Sequence, residues 1–159
     1  MRIGKTVLVA LLALASTAAN SQVTDQVVSI KNPKAFAQLL VELGYKPGEI
    51  KPISGFPSLQ VDIADQPTSV VFGGCSLMED CKYILMSSSY SDVKYPPAKW
   101  ITKMNDLFVI IKIGLNDDGN LYFSATHLIE GLPLTTLLQI LESWGDDASE
   151  LAQEAVKAK

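Results

Sequence analysis

The stretch SVVFGGCSLMEDCKYILMS, residues 69–87, holds the two cysteines of the chain and decides how its middle folds. Two runs rich in β-branched and aromatic residues, 69–75 and 81–87, flank the five residues SLMED. Their composition suits a pair of strands, and a five-residue link suits a hairpin. With Cys75 set opposite Cys81, antiparallel pairing places Gly73 against Tyr83 and Val71 against Leu85. Side chains alternate along a strand, so all six share one face, and Tyr83 can lie over the bare Gly73. Directly opposed residues have Cα atoms about 4.5–5.5 Å apart, within the reach of a disulfide.

The first residues say which compartment the cysteines meet. Arg2 and Lys5 precede the apolar run VLVALLALA (7–15), and the small residues STAANSQ follow. That order is expected of a secretory signal peptide over residues 1–21, with cleavage after Ala19 or Ser21. The run is short of the ~20 residues that a membrane span needs. The remainder, residues 22–159, is expected to be one domain of the periplasm or the secreted fraction, with no stable membrane anchor after cleavage. Removing Arg2 and Lys5 from 13 basic residues leaves 11 against 17 acidic ones, a net charge of −6. No lysine–arginine cluster stands out, which argues against nucleic acid.

An oxidising compartment favours a Cys75–Cys81 disulfide over the alternatives. A dithiol redox motif has two residues between its cysteines rather than five. A zinc site needs about four ligands, and the chain adds only His127 to the two cysteines. A nucleophilic cysteine would need His127 as its base. Closing so short a loop contributes about 2.4 kcal/mol by chain entropy.

Outward from the hairpin the punctuation is regular. Asn32 and Pro33 open a helix with Phe36, Leu39, Leu40 and Leu43 on one face, and Gly44 stops it. Two short strands follow around a turn at Gly55–Pro57, the second alternating Leu59, Val61 and Ile63 with Ser58, Gln60 and Asp62. The polar run SSSYSDVKYPP (87–97) reads as a loop. A second helix, PPAKWITKMNDLF (96–108), carries Trp100, Ile101, Met104, Leu107 and Phe108 on its apolar face. A second hairpin over residues 109–128 turns at Asp118–Gly119, and His127 shares the face of Leu121, Phe123 and Ala125. An EF-hand reading of NDDGN fails, because Gly114 and Ala125 would stand where carboxylates belong. The last helix buries Leu134, Leu137, Leu138, Leu141 and Trp144, with Gly145 expected to end or bend it before an acidic helix or tail. The order α-β-β-β-β-α-β-β-α predicts an α+β fold, an antiparallel sheet of about five to six strands with three helices.

Four features in sequence make the chain similar to the exported members of the YbjN domain family, described as bacterial sensory transduction regulators. They are Phe72, Gly74, Cys75 and Cys81 of the hairpin, the helix segment ITKMN (101–105), Asp118–Gly119, and Gly131 followed by Trp144. The resemblance covers roughly Pro33 to Leu151. The chain departs from the family at Thr102 and Met104, where asparagine and tryptophan are usual, and at Val109–Ile110, where an Arg-Phe pair is usual. The resemblance implies a fold like that of type III secretion chaperones and supplies no catalytic residue.

No residue spacing points to catalysis, to a metal or to a cofactor. The leading expectation is a non-enzymatic protein-binding or regulatory module with an unidentified protein partner. Tyr90, Tyr95 and Trp100 are the candidate partner surface. The alternatives are a small apolar-ligand carrier and a hydrolase with a scattered site around His127. An open hairpin edge also leaves room for a homodimer.

Overall fold

The computed structural model describes residues 31–157; the expected signal peptide, residues 1–21, lies outside them. The elements are α1 (Pro33–Glu42), β1 (Lys51–Ile53), β2 (Phe56–Ile63), β3 (Gln66–Gly73), β4 (Tyr83–Lys94), α2 (Ala98–Leu107), β5 (Lys112–Leu115), β6 (Asn120–Leu128) and α3 (Leu134–Lys157). The six strands form one antiparallel sheet in the order β1-β2-β3-β4-β6-β5. The fold is α+β, in the element order that the sequence predicts.

Alternation sorts the two faces of the sheet. Leu59, Val61 and Ile63 of β2, Val70 and Phe72 of β3, Ile84 and Met86 of β4, and Leu121 and Phe123 of β6 are buried. They meet Phe36 and Leu40 of α1 and Leu137, Leu141, Trp144, Ala148 and Leu151 of α3 in one core. On the opposite face, Gln60, Ser69, Ser87, Ser124 and Lys112 stand in register from β2 to β5, a polar row.

The central hairpin pairs as expected, with Gly73 opposite Tyr83 and Val71 opposite Leu85. A Cβ on Gly73 would fall 2.1 Å from the Tyr83 ring, so the aromatic occupies the space that glycine leaves. Cys75 and Cys81 are disulfide-bonded, their Cα atoms 3.8 Å apart. The link between them is a miniature hairpin. Ser76 N–H donates to Glu79 O at 2.7 Å and Glu79 N–H to Ser76 O at 2.9 Å. Leu77 and Met78 form its tip, both with positive φ.

Four expectations need correction. Residues 83–94 form the twelve-residue strand β4 rather than a loop beginning at Ser87. Hydrogen bonding to both β3 and β6 overrides serine's weak strand preference, and Ser88 Oγ donates to Pro67 O at 2.7 Å. The first turn is Ser54–Gly55, both with positive φ, so Phe56 and Pro57 already belong to β2. Helix α3 runs unbroken through Gly145, and the acidic segment after it continues the same helix. Gly145 is buried, and a Cβ there would come within 2.8 Å of Ala64 Cβ at the β2–β3 turn. That glycine serves close helix–sheet approach. Finally, Leu107 and Leu138 are exposed rather than part of their helices' buried stripes.

The two sheet edges are guarded differently. Strand β1 has three residues, one of them Pro52, which has no N–H to offer. At β5 the Asn105 carboxamide acts as a substitute strand. Its Oδ1 accepts from Ile113 N–H at 2.9 Å, and its Nδ2 donates to Ile113 O at 2.9 Å and to Ile101 O at 3.1 Å. Both devices leave fewer free backbone groups at the sheet edges. Asn105→Ala strands a partly buried N–H and C=O and is expected to cost about 2 kcal/mol, read as a lower urea midpoint with an unchanged slope.

Candidate partner-binding groove

Helix α2 ends at Leu107, and its C-cap Phe108 turns the chain toward β5. Phe108 and Ile111 are both buried and anchor the two ends of a short link. Val109 and Ile110 between them have no core to enter, and are 90% and 66% exposed. With Leu107, 62% exposed, they form an apolar ledge at the end of α2.

The ledge borders two connected spaces. A cavity of about 150 Å³ lies between Ile110, Ile111 and Ala125 on one side and Ile140, Ser143 and Trp144 of α3 on the other. An open groove of about 600 Å³ continues between Lys103, Met104 and Leu107 of α2 and Asp147, Glu150 and Glu154 of α3. Ile110 and Asp147 line both. The floor is apolar, and the α3 bank is acidic.

His127 lines the cavity with Ser143 and Asp147, the combination that a scattered hydrolase site would use. Among the described residues, no hydrogen bond joins any of these three side chains to another. Burial lowers the His127 pKa, which favours the neutral imidazole. Burial, then the neighbouring Glu150 and Asp146 carboxylates, raise that of Asp147. Burial is the largest cause of both shifts.

The three residues expected to form the partner surface sit in different settings. Tyr90 sits on β4 and turns inward. Its ring stacks on Phe123 at 5.4 Å, and its hydroxyl donates to Gln66 Oε1 at 2.6 Å. Tyr95 is 70% exposed and lies over Gly119, whose carbonyl accepts the Tyr95 N–H at 3.0 Å. Trp100 is half-buried against the core from α2. The residues that sequence reading missed are Leu107, Val109 and Ile110. The one signal was that Val109–Ile110 replaces an Arg-Phe pair in the family resemblance; periodicity alone placed both in a strand.

Tyr90 has a measurable consequence. Burial, then the Asp92 carboxylate, push its pKa up to about 12 from an ordinary 10.0. The fold therefore favours the neutral phenol. That contribution is complete below pH 10 and is lost as pH rises through about 12. In a spectrophotometric tyrosine titration, Tyr90 is expected to ionise last, and Tyr90→Phe to remove that final step.

Among the described residues, no cluster of three or more His, Cys, Asp or Glu side chains is arranged for a metal. Asn116 in the β5–β6 turn spends its Oδ1 on the Asp118 and Asn120 N–H groups, at 3.1 and 2.9 Å. Among them, too, no helix is long and apolar enough to cross a membrane. A scan against family models and a search of curated proteins find no match to the chain.

Proposed function

We propose that the chain is an exported, non-enzymatic binding module of the YbjN type that engages a partner protein through the groove between α2 and α3. The observation that carries this reading is the ledge of Val109 and Ile110, two consecutive apolar residues exposed beside an apolar floor. Contiguous exposed apolar surface rimmed by polar groups is the common mark of a protein contact site. The Cys75–Cys81 disulfide is compatible with an oxidising compartment and supports placing the protein in the periplasm or outside the cell.

The cavity size bears on the carrier alternative. A space of about 150 Å³ accepts one ring or one branched side chain, whereas pockets for whole ligands run to about 300–1,000 Å³. It suits an anchor side chain, and the connected groove of about 600 Å³, although large enough for a whole ligand, has an acidic α3 bank that suits a charged partner segment better than a lipid.

Ile110→Asn tests the reading. Ile110 is largely solvent-exposed, so thermal stability should hold within about 0.5 kcal/mol while crosslinked capture of the partner from periplasm is lost. Capture that survives this substitution, or disappears only along with the fold, would count against the groove.

A further inference from the structure

We infer that the occupant of the groove is a basic amphipathic segment of another protein, with one apolar side chain in the cavity beneath Ile110 and lysines or arginines over Asp147 and Glu150. This rests on the groove being the binding surface and adds the chemistry of what binds there.

Two observations converge. The first is the step in polarity along the groove. The half-open cavity has a mainly apolar floor of Ile110, Ile111, Ala125, Ile140 and Trp144, with polar neighbours such as His127 and Gln139, and its volume matches a single leucine or phenylalanine side chain. Asp147 stands at the junction, and beyond it the α3 bank is carboxylate. A segment that fills both spaces must present an apolar residue and then a polar face within about a helical turn or two.

The second is unbalanced charge. Asp147, Glu150 and Glu154 recur at helical spacing on one face of α3. Glu154 has Lys157 as an ion-pair partner and Lys103 near it. Asp147 and Glu150 join no ion pair among the described residues. The charges that act on Asp147 are Glu150 and Asp146, both of its own sign. A neutral or acidic segment would leave this repulsion in place and desolvate it. A basic one relieves it, and the net negative charge of the whole chain steers such a segment inward. Serine and glutamine on the partner would gain no such relief.

The test uses the full oxidised protein and three fluorescein-labelled helical peptides with the same leucine–phenylalanine face. Their polar faces carry Lys/Arg, Gln/Ser or Glu. Anisotropy titrations against the native protein should give the basic peptide an affinity about tenfold or more above the neutral one, and the acidic peptide the weakest. Raising the salt should narrow the gap. Asp147→Asn/Glu150→Gln should erase it, and Ile110→Asn should weaken binding of all three. Equal affinity for the three peptides, all sensitive to Ile110→Asn, overturns the charge assignment and leaves the groove reading standing. A basic peptide that ignores Ile110→Asn overturns both. Failure of every peptide to bind overturns the assigned occupant. So does saturable binding of the protein to phosphatidylglycerol vesicles that displaces the basic peptide, which would make a lipid surface the ligand.

Discussion

Replacing Trp144 with alanine is expected to destabilise the fold by about 3–5 kcal/mol, the largest effect of any single substitution considered. The indole is 3% exposed at the centre of α3 and lies 5.3 Å from the Phe123 ring, which in turn stacks on Tyr90. Removing it empties a site between helix and sheet, because Gly145 beside it already brings α3 close to Ala64 and leaves little freedom to collapse. The indole also ends a buried polar chain. Its Nε1–H donates to Thr68 Oγ1 at 2.9 Å, and Thr68 Oγ1 donates to Gln66 O at 3.0 Å. Thr68 is fully buried, so losing the indole changes the partners of a hydroxyl with no access to water. Trp144→Phe keeps most of the packing and should cost only about 1–2 kcal/mol. Urea denaturation separates the two. A loss under about 1 kcal/mol for the alanine variant would mean that α3 is not docked as described.

The second large effect is at the disulfide. Cys75→Ser/Cys81→Ser is expected to cost about 2–4 kcal/mol, or roughly 3–4 °C of Tm for each kcal/mol in a domain of this size. Chain entropy accounts for about 2.4 kcal/mol. The rest comes from Cys81, which is fully buried, and from the tip that the bond holds. Leu77 and Met78 adopt positive φ without being glycine, and Leu77 is 95% exposed. Such a tip persists only when its base is fixed. The base also receives the chain that leads into α1. Cys81 N–H donates to Lys31 O at 2.8 Å, and the Lys31 ammonium lies 3.5 Å from Asp80 and 2.9 Å from Glu130. Hydrogen exchange at residues 75–81 should accelerate in the double variant ahead of the rest of the sheet. Unchanged exchange there would show that hydrogen bonds alone hold the loop.

What the sequence made legible follows from how local each determinant is. The register of the cysteine hairpin could be read because two cysteines, one glycine and one tyrosine agree on a single alignment. The α1 boundaries could be read because Asn32, Pro33 and Gly44 are punctuation that acts within a turn. Strand β4 was hidden because Ser87, Ser88 and Ser89 look like a loop in isolation. They are held extended by β3 and β6, and β6 lies some thirty residues away in the chain. Gly145 was misread for the same reason. A helix-breaking residue in composition is a contact residue once the β2–β3 turn reaches it. The groove was the least legible feature. Nothing local says that Phe108 and Ile111 turn inward while Val109 and Ile110 between them turn outward. That depends on α2 sitting beside β5, where the Asn105 clamp holds it.

Under the proposed function a partner docks in the α2–α3 groove rather than on another exposed apolar surface. Site-specific photocrosslinking in living cells tests this. A photoreactive phenylalanine derivative is placed singly at Ile110, at Val41 of α1 or at Phe56 of β2, all exposed apolar positions. A discrete crosslinked adduct is expected from position 110 and none from 41 or 56. Adducts from 41 or 56 with none from 110 would contradict it.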